Sequence, residues 1–284
     1  MMDTTGAGVA LDRVTFQYPA AASPALRDLT LEARPGEITW LLGELGAGCT
    51  TALLVMAGLA PRLTDGNRDG TVSVLGLDPA DGRGELAGRI GLVTASPQLQ
   101  LSGIATTVAD EVAFTPANLG WPAGRIEPAV QGALEALGIA SLARRHPGSL
   151  SGGELQRVIL ASVLALAPAV WLLDDPAPPL DAPGRELLAH LLQSEKHRGA
   201  TIVIAGEDAD FLLGLATRVV VLRQGSVVLE GDPARILAGT EVWDAGAGST
   251  TIAGVVREAH MLAPAEIAPP FPITLDQVRA RWSR

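Results

Sequence analysis

From Val9 to Tyr18 apolar and polar residues alternate, with β-branched and aromatic side chains among them, and this period of two predicts a β-strand. Leu26 to Ala33 predicts a second strand, Pro35-Gly36 a turn, and the apolar run Ile38 to Leu42 a buried third strand. Thr50 to Leu59 has helix composition, while Gly70 to Leu75 and Arg89 to Thr94 supply further strand candidates. Pro97 to His146 turns helical, with Ile126 to Leu137 its clearest amphipathic run. Helix Leu155 to Leu166, strand Val170 to Leu173, helix Arg185 to Lys196, strand Thr201 to Ala205, another helix and a hairpin at Gln224-Gly225 follow. Alternation of this kind implies a mostly parallel sheet covered on both faces. Gly246 to Ser249 reads as a flexible linker, and residues 250–284 as a small helical tail.

With 284 residues, 48% of them hydrophobic, the chain can bury a sizeable core, which argues against disorder. The longest apolar stretch, Val158 to Leu173, contains Pro168 and runs into Asp174-Asp175, so it reads as a helix end plus a buried strand rather than a membrane span. Residues 1–10 lack the basic start and apolar run of a signal peptide. A net charge of −10 argues against nucleic acid as the main partner. The single cysteine, Cys49, forms no internal disulfide, which fits a reducing cytosol.

Gly43, Gly46 and Gly48 lie where a G-x-x-x-x-G-K-[ST] phosphate loop needs them, between a predicted strand and a predicted helix. Such a loop aims backbone N–H groups and a helix N-terminus at an anion, and its lysine adds a cation. Here Cys49 occupies the lysine position, followed by Thr50 and Thr51. Lys196 is the only lysine in the chain, so none near the loop replaces it. A thiol at a helix N-terminus has a lowered pKa, which admits a redox or alkylation switch at Cys49; the alternative is a small residue filling the vacated space.

Leu150-Ser151-Gly152-Gly153-Glu154, followed by Gln156-Arg157, resembles the signature of ATP-binding-cassette (ABC) ATPases. Ser151 and Glu154 also have the spacing of a helix capping box. The resemblance implies an α/β P-loop NTPase (RecA-like) cassette with an antiparallel N-terminal β-subdomain. It places the nucleotide-binding domain at about 1–245, with a helical subdomain at about 97–149, and a helical C-terminal extension at 246–284.

By the same resemblance the nucleotide, ATP with Mg2+, is held by Tyr18, Gly43, Gly46, Ala47, Gly48, Cys49, Thr50 and Thr51. Tyr18 stands at the adenine-stacking position, although it can also simply cap a strand. Trp171 to Asp175 resembles a Walker B strand, with Asp174 and Thr50 on the metal. Asp175 replaces the usual glutamate base and is one methylene, about 1.5 Å, shorter. Ala95 stands at the Q-loop glutamine, Glu207 at the switch histidine, and Asp181 fits the D-loop. His146, His190, His197 and His260 lie elsewhere, as surface or packing residues. Losing a lysine and gaining Glu207 leaves the site one to two charges more negative than the family pattern. A unit charge at ~4 Å is worth about 4 kcal/mol at an effective dielectric of roughly 20, so weak ATP and Mg2+ binding is expected.

In that family two cassettes dimerise head to tail, and each ATP lies between one chain's Walker loop and the other's signature. The resemblance therefore implies a second, competent ABC ATPase whose nucleotide this chain's signature serves. Val108 to Phe114, Asn118-Leu119-Gly120, and the tail stretches Val255 to Ala259 and Phe271 to Val278 resemble the energy-coupling-factor (ECF) branch, related to cobalt importers. That branch implies a transmembrane coupling protein, a substrate-binding membrane protein and a peripheral position on the cytoplasmic face of the membrane. Asp110-Glu111 can instead be a solvated helix face. A regulatory or structural pseudo-ATPase, and a slow ATPase using Asp175, remain as alternatives.

Overall fold

The computed structural model describes residues 8–81, 84–263 and 267–282. The expected lack of a leader concerns residues that mostly lie outside these. Strands β1 (Val9–Gln17), β2 (Leu26–Ala33) and β3 (Ile38–Leu42) lead into helix α1 (Cys49–Met56), then β4 (Asn67–Val74) and β5 (Ile90–Val93). Helices α2 (Val108–Asn118), α3 (Ala123–Ala136) and α4 (Gly152–Leu164) precede β6 (Val170–Asp174), α5 (Ala182–His197) and β7 (Thr201–Ala205). Next come α6 (Ala209–Leu212), the hairpin β8 (Arg218–Arg223) and β9 (Ser226–Gly231), then α7 (Pro233–Leu237) and α8 (Glu241–Asp244). Helices α9 (Thr251–Leu262) and α10 (Leu275–Trp282) form the tail.

Two sheets result. One is antiparallel, in the order β2-β1-β4; the other has the order β5-β6-β7-β3-β8-β9 and is parallel except for β9. Residues of β3, β6 and β7 are buried throughout, as a parallel sheet covered on both faces requires. Their side chains alternate between two cores. Trp40, Trp171, Leu173, Ile202 and Ile204 face the cluster that includes α2 to α5 and the tail. Leu41, Leu172, Val203 and Ala205 face the cluster formed with α1 and the three-stranded sheet. The parallel order puts the C-terminal ends of β3, β6 and β7 at one edge, where open α/β sheets bind ligands.

Two expectations change. Gly246 to Ser249 does not behave as a free linker: Ala247 is buried, its N–H donates to the Val242 carbonyl, and Thr250 Oγ1 donates to the Ile273 carbonyl. Phe271 stacks on Trp243 at 4.5 Å between ring centroids, joining the tail to the main core. Of Asp110-Glu111, Asp110 is exposed, as a solvated face would have it, and only Glu111 is buried. Asp110 closes a capping box with Thr107 at the start of α2, and the buried Glu111 carboxylate accepts from Ser102 N and Oγ, each at 2.7 Å. The four histidines are exposed or half-buried, as expected.

Candidate functional site

Residues 43–48 connect β3 to α1. Gly48 caps α1 at φ 107°, and a methyl there would lie 2.7 Å from the Ala25 carbonyl oxygen, so only glycine suits this close approach. No side chain caps α1, leaving its first N–H groups directed at the loop's concave side. Hydrogen bonds from Ala47 N to Glu44 O and from Gly225 N to Ala47 O fix the loop's shape.

The loop borders a cavity of about 420 Å³. Tyr18, Gly43, Gly46, Ala47, Gly48, Cys49, Thr50, Thr51, Ala95, Asp174, Asp175 and Glu207 all line it, so the structure unites these expected site residues. Thr50 Oγ1 donates to Asp174 Oδ2 at 2.9 Å. Tyr18 shares a 3.1 Å hydrogen bond with Thr51 Oγ1 and packs edge-on against Phe16. Trp40 Nε1 donates to Gly206 O and holds the segment that carries Glu207. The signature residues and Asp181 are not among the lining residues.

Electrostatically the cavity is one-sided. Glu44, Asp174, Asp175 and Glu207 line it, and no lysine or arginine does. Burial raises the Asp174 carboxyl above the usual range against the Thr50 hydrogen bond. Asp175 is raised by burial first, then by Asp174, Glu207 and Asp208, with Arg185 opposing. Arg185 itself pairs with Asp208 at 2.6 Å. Burial pushes the Cys49 thiol up to about 12, and Asp174 and Glu207 add to the rise. The helix N-terminus is outweighed, so of the two readings of Cys49 the low-pKa switch is not supported and the small residue in the lysine's place is favoured; Cys49 itself is half-buried.

Thr50 and Asp174 suit a magnesium ion, and the glycine cradle suits phosphate oxygens. Among the described residues no group of three or more His, Cys, Asp or Glu is arranged to hold a metal, so further ligands would come from nucleotide and water. Phosphate charge there would meet four lining carboxylates and no lining lysine or arginine.

The signature forms a separate, outward-facing feature. Ser151 and Gly152 are exposed at the start of α4, and Leu150 and Gly153 are half-buried. Ser151 Oγ accepts from Glu154 N, while Glu154 Oε2 accepts from Ser151 N at 2.8 Å. The same amide holds the Glu154 carboxyl below the usual range, with Arg145 reinforcing it. Behind the tip, the buried Gln156 Nε2 donates to Pro176 O, just after Asp174-Asp175. Asp181 caps α5 through Gly184 N.

Sequence reading missed Glu44 and Leu45; Leu45 is 97% exposed at the loop tip. It also missed Gln100, whose Oε1 accepts from Thr94 N and whose Nε2 donates to Leu92 O, clasping the segment that bears Ala95. The proline-glutamine run at 97–100 was the available signal.

A profile described as ABC transporter matches residues 26–178. The nickel import ATP-binding protein NikO of Rhodobacter capsulatus is 38% identical over 240 residues, covering 81% of this chain and 91% of that relative. The energy-coupling factor transporter ATP-binding protein EcfA2 of Methanospirillum hungatei is 34% identical over 237 residues, covering 82% of this chain and 58% of that one. The solved structure of cbiO1 from Clostridium perfringens, part of the ABC transporter complex cbiONQ, matches with a TM-score of 0.69 at 27% identity, covering 91% and 96% of the two chains.

Proposed function

The chain belongs to the ATP-binding subunits of ABC transporters, and on that premise we propose that it is an ECF-type importer subunit whose own Walker site is catalytically silent or nearly so. Its intact signature serves the nucleotide of a second, competent ABC ATPase. The observation that carries this reading is the contrast between the two features. The phosphate cavity has Cys49 for a lysine, four carboxylates and no lining cation, while Ser151, Gly152 and Glu154 keep a complete, exposed helix tip.

In this reading the amides at the start of α4 and the Ser151 hydroxyl face the partner's γ-phosphate, where a helix N-terminus stabilises growing negative charge. Thr50 and Asp174 hold magnesium weakly, and the phosphate loop holds ATP weakly. Ala95 and Glu207 provide neither a sensing glutamine nor a switch histidine. No helix among the described residues is long and apolar enough to cross a membrane. In this reading attachment to the cytoplasmic face runs through a transmembrane coupling protein and a substrate-binding membrane protein; that the similar cbiO1 is part of a transporter complex supports it.

A second reading, a slow ATPase, has one observation in its favour. Asp175 lines the cavity with a raised pKa, a property suited to a general base. The test is purification of the complex from the native host, followed by ATPase assay. The proposal expects a second cassette ATPase with a lysine-bearing loop and turnover that depends on both chains. A co-purified assembly containing this chain as its only ATPase, and hydrolysing ATP, overturns it.

A further inference from the structure

We propose that residues 244–251 are a strap that couples docking of the C-terminal tail to the conformation of this chain's own nucleotide cavity. The strap meets the cavity rim on three elements. A methyl placed on Gly246 would come within 3.1 Å of Glu44 Oε2 on the phosphate loop. One placed on Gly248 would lie 3.4 Å from the Glu207 carbonyl oxygen and 3.8 Å from Leu42 Cδ1. The third element is the β8–β9 hairpin, whose Arg223 Nη1 donates to Asp244 O while its Gly225 N holds Ala47 of the loop.

The strap ends in a firm clamp. The Asp210 carboxylate, three residues past Glu207, accepts from Thr251 N at 3.1 Å and from Thr251 Oγ1 at 2.5 Å. It sits at the N-terminus of α9, where a negative charge complements the helix dipole. Thr250 caps the same helix from within, through Ala253 N, and ties it to Ile273. Farther along, Trp243, His260 and Phe271 pack ring against ring and bind α8, α9 and the final segment into one unit.

Glu44 and Glu207 each line the cavity and lie so near the strap that a methyl on Gly246 or Gly248 would meet them. Any change at the cavity that moves the loop or the Glu207 segment must therefore strain or release the tail. The coupling is reciprocal, so loosening the tail's clamp loosens the cavity rim. This follows from contacts within the chain and does not depend on the transport reading.

The test is amide hydrogen exchange on the full chain, comparing wild type with Asp210→Ala and Thr251→Val. The second variant exchanges the hydroxyl for a methyl of similar size and leaves the backbone N–H at 251 to bond Asp210, which covers the case in which the first does not fold. Coupling predicts exchange roughly tenfold or more faster at residues 43–50 and 206–209 as well as in α9, with Trp171 to Leu173 of β6 unchanged. Faster exchange confined to residues 250–262, with the rim as protected as in wild type, overturns the proposal. An equal rise in β6 also overturns it, because the effect is then general destabilisation.

Discussion

Thr50 Oγ1 lies 2.9 Å from Asp174 Oδ2, joining the phosphate loop to the end of β6, while the neighbouring Cys49 contributes no charge. On the proposed reading, the magnesium half of a nucleotide site is retained and the phosphate-neutralising half is lost. Cys49→Lys is expected to tighten MgATP binding to the isolated chain by roughly tenfold or more, since ~1.4 kcal/mol per tenfold is a fraction of a unit charge's worth at contact. Titration calorimetry on both proteins checks this. Equal affinities would show that the lysine is not what the cavity lacks.

The Cys49 thiol, pushed up to about 12 by burial and by Asp174, should be nearly inert at pH 8. Its thiolate fraction is then more than about a thousandfold below that of an ordinary cysteine of pKa about 8.5, and even with the greater nucleophilicity of a high-pKa thiolate its alkylation by iodoacetamide is expected to be slower by roughly two orders of magnitude or more. Asp174→Asn should speed the reaction by removing one of the causes. A rate equal to that of a free thiol would revive a reactive-cysteine role.

How far the sequence reveals this depends on where each signal lies. Leu26–Ala33, Ile38–Leu42 and Thr201–Ala205 match the predicted strands residue for residue; in the last two a buried apolar run carries the signal, in the first the interleaving of buried apolar with more exposed polar positions. The glycine spacing likewise shows the cradle. Glu44 is different: one carboxylate in a loop has no periodicity, and only the loop's path aims it into the cavity. Of the two readings of Cys49, the reactive one loses because the helix-terminus effect is local, whereas the opposing burial and Asp174 charge are brought by the fold. Gly246 to Ser249 looks flexible by composition, yet the contact that holds the segment, Thr250 to Ile273, is made far along the chain.

Asp175 supplies a pH signature. Its folded-state pKa is raised, so the favourable contribution belongs to the protonated form: it is complete below the unfolded value and is lost as pH climbs through the folded one. Asp175→Asn removes the ionisable group, so its gain in Tm over wild type should be larger at pH 8 than at pH 4. Differential scanning calorimetry at the two pH values decides the matter. A larger gain at pH 4 would mean that the Arg185 attraction outweighs burial and the neighbouring carboxylates.

Ser151→Arg puts a bulky cation where the partner's γ-phosphate is expected and removes the cap of α4, at a stability cost of about 1 kcal/mol. ATPase activity of the co-purified complex should fall to background, while MgATP affinity of the isolated chain stays as it was. Activity persisting in the mutant complex would refute the shared site.

The most direct check of the central claim is steady-state phosphate release by the purified chain alone, at saturating MgATP, beside its Asp175→Asn variant. The account predicts that both stay at the no-enzyme background. Turnover by the wild type that vanishes in the variant would contradict it, because a working base would then reside in this chain's own cavity.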